Sequence, residues 1–221
     1  MTATTVEPWL RPLLNEIHDY LRRLEGSGLD EVRRLSVQAR KVVPIRPRPL
    51  QLAAELEGAL AAVRTGGEPA LAKAIEGAAP FLSWITYDAY PREEIGDAFA
   101  DGHAFASLIG PEAPVAAEDF DLGLFLIRSN LLYRDHHHAA PELYAPLTGP
   151  HGWRFRPNDS IEWRPAHRPV WNEPWQPHAT LVGDVPFLCI FAWTKDIGQV
   201  AKVLPADDWA DLERLRPGSG R

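Results

Sequence analysis

Apolar residues early in the chain recur at helical spacing, whereas later apolar residues form short runs separated by turn residues. From position 10 to position 24, leucine and isoleucine side chains lie three or four residues apart, as on one face of a helix. Three further segments before position 80 carry helix signals, such as acidic first turns and glycines at their ends. We therefore predict that the first eighty residues are mainly helical, over the ranges 10–24, 29–40, 51–64 and 68–76.

The second part of the chain has the pattern of a β protein. Short apolar runs bounded by turn residues are typical of an antiparallel sandwich or barrel. We predict strands over 122–127, 130–133, 142–147, 152–156, 160–164, 178–182 and 185–193, with an edge strand at 202–204. Helices are expected at 95–109, which carries His103, and at 206–215. A lone histidine on such a segment is more often structural than functional.

This pattern predicts three units: a helical extension over 1–79, a β-barrel over 80–205, and a short helix with a tail over 206–221. With 221 residues and a hydrophobic content of 45%, the chain can bury a substantial core. The residues before position 9 and after position 215 are expected to form loose tails.

Composition argues against nucleic-acid binding and against a membrane span. The net charge of -7 argues against a nucleic-acid-binding protein. No segment has the length and apolarity of a membrane span, and the first residues lack the pattern of a signal peptide, so we expect a cytoplasmic protein. The single cysteine, Cys189, lies in an apolar run and is expected to be a buried, inert thiol.

A histidine-rich segment in the middle of the chain carries the candidate chemistry. Because side chains alternate along a strand, His136 and His138 should share one face, with His137 on the other. Glu142 and Tyr144 can rejoin the first face after an irregular step. Although a run of histidines can also be a solvated loop, two imidazoles and a carboxylate form a partial ligand set for zinc, iron, manganese or nickel.

A metal held by this segment needs a further ligand from elsewhere in the chain. His178 opens a predicted strand 36 residues after Glu142, which leaves room for about three strands to return across the barrel. His151 follows a turn and His167 lies in a proline-flanked loop, so both are expected to be exposed. His178 is therefore the predicted ligand.

The spacing of these residues resembles a known family. The pattern His136-x-His138-x3-Glu142-x6-Gly149 resembles the first motif of the cupins, and His178 stands where the second motif has its histidine. Tyrosines three residues before the first histidine and two after the glutamate are similar to those of the dimethylsulfoniopropionate lyases. Together with its context, the similarity covers roughly residues 80–195. It implies a mainly β cupin fold, a double-stranded β-helix or jelly-roll barrel with a helical N-terminal extension.

The resemblance also implies an activity, which is cleavage of dimethylsulfoniopropionate to dimethyl sulfide and acrylate by β-elimination. One divalent metal would be held by His138, Glu142 and His178, with His136 as a further ligand or a neighbour. Metal-assisted proton removal next to a carboxylate by a tyrosinate is chemically reasonable. Tyr144 shares the ligand face, whereas Tyr133 has the opposite parity and needs a bend in the strand to reach it. The sequence leaves open which tyrosine acts as the base.

The sulfonium end of such a substrate is expected to lie against aromatic rings. Trp193 is the first choice by similarity, and Trp153 and Trp171 are further candidates. The chain departs from the family at Arg134-Asp135, where proline usually follows the first tyrosine, and lacks the usual Pro-Gly turn of the second motif. We expect these departures, and the tryptophans at 171 and 175, to lie near the pocket and to bear on the substrate.

Several alternatives follow from the same residues. A relative could act on another small carboxylate, and a cupin of another class could be a sugar isomerase or an iron-dependent dioxygenase. A non-enzymatic cupin that binds a small ligand is the third possibility. By analogy with other cupins, the apolar N-terminal helices are candidates for a homodimer surface.

Overall fold

The computed structural model describes residues 8–218, and within them the chain forms seven α-helices, one short 3-10 helix (Ala79–Phe81) and eleven strands. The helices are α1 (Leu10–Arg23), α2 (Leu29–Ser36), α3 (Ala53–Thr65), α4 (Pro69–Ala78), α5 (Arg92–Ile95), α6 (Asp97–Ala100) and α7 (Trp209–Leu212). The strands are β1 (His103–Gly110), β2 (Val115–Ala116), β3 (Asp121–Ile127), β4 (Leu132–His137), β5 (Glu142–Pro146), β6 (His151–Arg154), β7 (Glu162–Arg164), β8 (Val170–Asn172), β9 (His178–Val182), β10 (Phe187–Trp193) and β11 (Lys202–Val203). Of the tails predicted before position 9 and after position 215, residues 1–7 and 219–221 lie outside the described residues.

The strands form two sheets. One has six strands in the order β2-β1-β3-β10-β5-β8, and the other has five in the order β11-β4-β9-β6-β7. All pairings are antiparallel except that of β1 with the two-residue β2. This arrangement confirms the mainly β cupin fold with helices at the N-terminal end.

The six-stranded sheet is buried on both faces. Side chains of its central strands point alternately to one face and to the other, and both sets belong to core clusters. In β3, Leu122, Leu124 and Leu126 belong to the core shared with the N-terminal helices. Phe125 and Ile127 belong to a second core cluster that contains the aromatic residues between the sheets. The same alternation continues in β10. Two-sided burial explains why both strands read as nearly continuous apolar runs.

The N-terminal helices cover the outer face of this sheet. Leu13, Ile17 and Leu21 of α1 are fully buried, in the same cluster as leucines of α3, α4 and the sheet. Burial of a leucine side chain stabilises a fold by about 1.5–3 kcal/mol, so this interface contributes substantially to stability. The apolar stripes of these helices are thus buried within the chain. The homodimer itself stays a prediction.

One predicted helix is wrong. Residues 95–109 form the end of α5, the four-residue α6 and most of strand β1. From Ala104 to Leu108 the deeply buried side chains fall at alternate positions, and β1 pairs with β3 along most of its length. His103 has the predicted structural role: its Nδ1 donates to Phe99 O (2.6 Å), and its Nε2 accepts from the Tyr87 amide (2.8 Å).

The other differences concern element lengths. Strands β2 and β8, of two and three residues, were not predicted, and α2 and α7 are shorter than expected. The edge strand near 202 is confirmed as β11. Cys189 is a free and fully buried thiol, as predicted, and its burial raises its pKa well above the ordinary value. Among the described helices, none combines the length and apolarity that crossing a membrane would require.

Candidate metal centre and its cavity

Three histidines meet at the inner face of the five-stranded sheet. His136 of β4 lies directly opposite His178 of β9, and His138 follows one step beyond β4. One ring nitrogen from each of the three lies within 4.8 Å of the others, and all three side chains are buried. His137, of opposite parity, is half-buried and packs on Trp175 instead. The structure therefore brings together the three histidines that the sequence selected.

Each imidazole is held in one orientation by the backbone. The Nδ1 atoms of His136, His138 and His178 lie 2.8, 2.8 and 2.9 Å from the carbonyl oxygens of Arg134, Ala140 and Gln176. A carbonyl can only accept, so each Nδ1 carries the proton and the lone pair of a neutral ring sits on Nε2. Backbone fixation of the far nitrogen is the arrangement typical of metal-binding histidines.

Glu142 completes the group. Its Oε2 lies 3.1 Å from His138 Nε2 and 3.5 Å from His178 Nε2. Trp193 Nε1 donates to Oε1 at 2.7 Å, and Asn172 Nδ2 donates to Oε2 at 3.2 Å. Burial alone would raise the pKa of Glu142, but the two histidines outweigh it and hold that pKa well below its ordinary value. The carboxylate is therefore ionised.

The donor set fits a divalent metal ion. The Nε2 atoms of His136 and His178 are buried and have no hydrogen-bond partner among the described residues. The contact between His138 Nε2 and the carboxylate joins two acceptors and needs a positive charge, carried by a proton or a metal ion, between them. Three imidazoles and one carboxylate suit zinc, iron, manganese or nickel.

A cavity of about 330 Å³ ends at this centre. Glu142, Tyr133 and Tyr144 all contribute to its wall, together with Trp193. Other aromatic and polar residues complete the lining: Tyr87, Tyr90, Phe105, Phe125, Phe191, Glu118 and Asp121. A wider groove of about 810 Å³ shares Tyr87 and Tyr90 with this cavity, but none of the candidate ligands lines it. The smaller cavity is therefore the candidate substrate site.

A bulge in β4 lets Tyr133 reach the cavity. Tyr133 pairs with Thr180, whereas His136 pairs with His178, so three residue steps on β4 match two on β9. The extra residue reverses the parity of Tyr133 relative to His136, and their rings stack at 3.8 Å between centroids. The sequence indicated that Tyr133 needs a bend in the strand to reach the ligand face, and the bulge provides it.

The tyrosines form a buried group with neutral hydroxyls. The hydroxyl oxygens of Tyr133 and Tyr90 are 2.8 Å apart, and the Tyr133 ring also stacks on Phe99 at 3.9 Å. Burial raises the pKa values of Tyr90, Tyr133 and Tyr144 well above the ordinary value. A nearby positive charge is therefore required before any of them can serve as a base at neutral pH.

The tryptophans suggested by the sequence lie in different places. Trp193 lines the cavity and its ring lies 4.7 Å from that of His138. Trp153 is fully buried behind Tyr144, with its Nε1 donating to His151 Nδ1 at 2.6 Å, and does not line the cavity. Trp171 packs against the N-terminal helices, and Trp175 is 46% exposed. The structure thus brings only Trp193 of these side chains to the described cavity.

Arg134 and Asp135 do not lie near the pocket, contrary to expectation. Asp135 is fully buried on the opposite side of β4, where Arg154 Nε donates to it at 2.9 Å and Trp209 Nε1 at 2.7 Å. Arg134 lies over the ring of Trp209, with 4.6 Å between the guanidinium carbon and the ring centroid. This departure from the family pattern anchors α7, and neither side chain lines the described cavity.

Predicted exposure was wrong for His151. His151 is fully buried and accepts the Trp153 hydrogen bond, because it opens strand β6, which lies between β7 and β9 in the sheet. His167 is half-buried, and its Nδ1 lies 2.9 Å from the Tyr20 hydroxyl. Neither belongs to the group that His136 and His138 form with His178.

The sequence missed several residues of the site. Tyr87 and Tyr90 come from the segment before β1, and Asp121 opens β3. Asn172 lies on the unpredicted strand β8, opposite Glu142. The weak signals were an aromatic cluster before position 90 and an amide six residues before His178, neither of which specifies a contact.

Comparisons with known proteins identify the family to which the chain belongs. The family model for dimethylsulfoniopropionate lyase matches residues 27–189. DddL of Cereibacter sphaeroides is 29% identical over 163 residues, or 72% of this chain and 66% of that protein. The dimethylsulfoniopropionate lyase DddQ of Ruegeria pomeroyi is 29% identical over 115 residues, or 52% of this chain and 56% of that protein. The chain therefore spans less than two thirds of the length of either relative.

Two solved structures share the fold. A chain from the crystal structures of the DMSP lyases RdDddP and RnDddQII superposes with a TM-score of 0.68 at 20% identity, covering 89% of this chain and 98% of that chain. DMSP lyase DddQ from Ruegeria pomeroyi DSS-3 gives a TM-score of 0.64 at 21% identity, covering 88% and 95%. At these identities the similarity concerns the fold, including its helical N-terminal part.

Proposed function

Since the chain belongs to the dimethylsulfoniopropionate lyase family, we propose that it is a metal-dependent lyase that cleaves dimethylsulfoniopropionate to dimethyl sulfide and acrylate. One observation carries this proposal. The Nε2 atoms of three buried histidines converge beside Glu142, at the end of a cavity lined by Tyr133 and Tyr144. This arrangement combines a metal-binding set with phenols that can move a proton.

The metal would be held by His136, His138, His178 and Glu142. When bound, a divalent cation supplies Lewis acidity, which lowers the pKa of neighbouring acids and stabilises negative charge developing at a carboxylate. The protein contributes the fixed orientation of the imidazoles through their Nδ1 hydrogen bonds. Trp193 and Asn172 hold the carboxylate in the same way.

We assign the base to Tyr144. It follows Glu142 by two residues on β5, so both side chains project into the interior, and it lines the cavity. The hydroxyl of Tyr133 is already engaged with that of Tyr90 at 2.8 Å, which suits a positioning role. A tyrosinate at position 144 takes the proton from the carbon next to the substrate carboxylate.

The elimination then balances without another reactant. As the C–H bond breaks, its electron pair forms the carbon–carbon double bond of acrylate, and the C–S bond breaks with its pair leaving on sulfur. The proton stays on the Tyr144 oxygen until it is released to solvent. Aromatic faces such as that of Trp193 stabilise the sulfonium cation before it leaves as neutral dimethyl sulfide.

Headspace detection of dimethyl sulfide tests the proposal. Protein is stripped of metal, reloaded separately with zinc, ferrous iron, manganese and nickel, and given dimethylsulfoniopropionate. Metal-dependent release that is lost in Tyr144→Phe is the expected result, with Tyr20→Phe, outside the cavity, as the matched control. If protein that is shown to bind a metal releases no dimethyl sulfide, dimethylsulfoniopropionate is not its substrate. The same cavity would then serve another small carboxylate.

A further inference from the structure

Asp121 carries a half-buried carboxyl group that the reaction described above does not use. It lines the cavity, and its Oδ1 atom is buried without a hydrogen-bond partner among the described residues. Ser107 is the one side chain that favours its ionised form, and it only partly offsets the effect of desolvation. Burying such a charge without a partner is costly, so a ligand that supplies the missing positive charge would be favoured.

Strand register places Asp121 on the same wall as the metal centre. Trp193 of β10 lies directly opposite Asp121 on one side and directly opposite Glu142 on the other. Residues opposite each other across a sheet share a face, so all three side chains project toward the interior. Two strand spacings separate the backbones of Asp121 and Glu142, which is roughly 10 Å. A small molecule can therefore touch both ends of this row.

The space around Asp121 is built to hold its carboxyl group. A Cβ atom at Gly110 would lie 3.0 Å from Oδ1, so a larger residue there would crowd the group. Burial raises the pKa of Asp121 to about 7, and only the Ser107 hydrogen bond opposes this. A fold that gained stability from this position would place a neutral side chain there instead.

The remaining lining indicates the class of ligand. No lysine or arginine is among the described residues that line the cavity, whereas Glu118 adds a second carboxylate near the solvent. The rings of Phe105, Phe191 and Trp193 occupy the same cavity. Aromatic faces together with unpaired carboxylates attract an organic cation and repel a simple anion.

We propose that Asp121 is a specificity-determining residue that contacts the cationic end of the substrate. It makes the cavity selective for small molecules that carry an onium group, sulfonium or quaternary ammonium, at the opposite end from a carboxylate. This inference rests on the proposed function, because it takes the carboxylate end to lie at the metal centre. It explains why the cavity would bind less well a carboxylate of the same shape whose other end is uncharged.

Binding of two isosteric compounds tests this role without turnover. The compound 3-(trimethylammonio)propionate carries a positive nitrogen where 4,4-dimethylpentanoate carries a neutral carbon, and the two are otherwise alike. Dissociation constants for both are measured by calorimetry on the zinc-loaded protein. We expect the wild-type protein to prefer the cation, and Asp121→Asn to reduce that preference by about tenfold or more.

Two further variants make the outcome decisive. Glu118→Gln removes an exposed charge and should change the preference by less than about threefold, because water screens it. Asp121→Ser serves as a second neutral variant if Asp121→Asn does not fold. An unchanged preference in the Asp121 variants, or an equal loss in Glu118→Gln, would overturn the proposal. Because binding is measured, an Asp121-dependent preference without dimethyl sulfide release would refute the proposed reaction but not this role.

Discussion

The rings of Tyr133 and His136 stack with 3.8 Å between their centroids, although three residue steps separate them along one strand. In a regular strand their side chains would lie on opposite faces of the sheet. The bulge between them in β4 removes this difference, because β9 covers the same stretch in two steps. It also turns Asp135 outward, so a single irregularity serves both the cavity and the anchor of α7.

Replacement of Tyr144 by phenylalanine should reduce dimethyl sulfide formation by about 10²–10⁴-fold, the usual contribution of a general base. Zinc content and thermal stability should remain close to wild type, since the ring still fills the same space. Tyr133→Phe should cost less, because its hydroxyl positions rather than transfers the proton. Initial rates on metal-loaded proteins provide the comparison. A larger loss in Tyr133→Phe than in Tyr144→Phe would reverse the assignment.

Removal of the Trp193 hydrogen bond should weaken metal binding. Trp193→Phe keeps an aromatic ring beside His138 but deletes the Nε1 donor to Glu142 Oε1. Loss of an outer hydrogen bond to a ligand typically lowers metal affinity about 10–100-fold. Competition with a chromogenic chelator measures the zinc affinity directly. Trp175→Phe, at an exposed tryptophan, is the matched control, and equal affinities in both variants would contradict this role.

Disruption of the ion pair between Asp135 and Arg154 should lower the stability of the protein without altering the cavity. Both side chains are fully buried, so Arg154→Met leaves an uncompensated carboxylate and should cost about 3–5 kcal/mol of unfolding free energy. Urea denaturation gives this value. The folded fraction should keep the wild-type KM for dimethylsulfoniopropionate. A changed KM would mean that this pair lies closer to the substrate than the structure places it.

The stability cost of Asp121 should appear as pH rises. Its folded-state pKa is raised to about 7 from an ordinary value of 3.8, so the folded state binds the proton more tightly than the unfolded state. The stabilisation is complete below about pH 4 and is lost as pH rises through 7. A shift of this size corresponds to about 4 kcal/mol at most. Asn does not titrate at this position. The unfolding free energy of Asp121→Asn should therefore increase relative to that of the wild type as the pH rises.

Paired denaturation curves at pH 5 and pH 8 check this sign. The difference in unfolding free energy, variant minus wild type, should be larger at pH 8. Other ionisable groups contribute equally to both proteins and cancel in the difference. A difference that shrinks with pH would show that a positive charge already pairs with Asp121 in the free protein.

Local spacing was enough to predict a mainly antiparallel β architecture and the histidines of the candidate metal centre. Short apolar runs bounded by turns predicted β9 and all of β10, and the helical period predicted α1 with nearly the right ends. His136 and His138 project together because of strand geometry alone, and Glu142 follows after a short break. His178 followed from its place at the start of a predicted strand, and the resemblance to one family added the roles of the two tyrosines.

Other features depended on contacts between distant parts of the chain. The sequence does not encode register directly, so it gave no sign that Asp121, Trp193 and Glu142 lie in one row across three strands. The partners of buried polar groups are equally non-local, as Asp135 with Arg154 shows. The sequence by itself determined which side chains could bind a metal. The tertiary structure decided what surrounds them, because cross-strand pairing and burial arise only when remote segments meet.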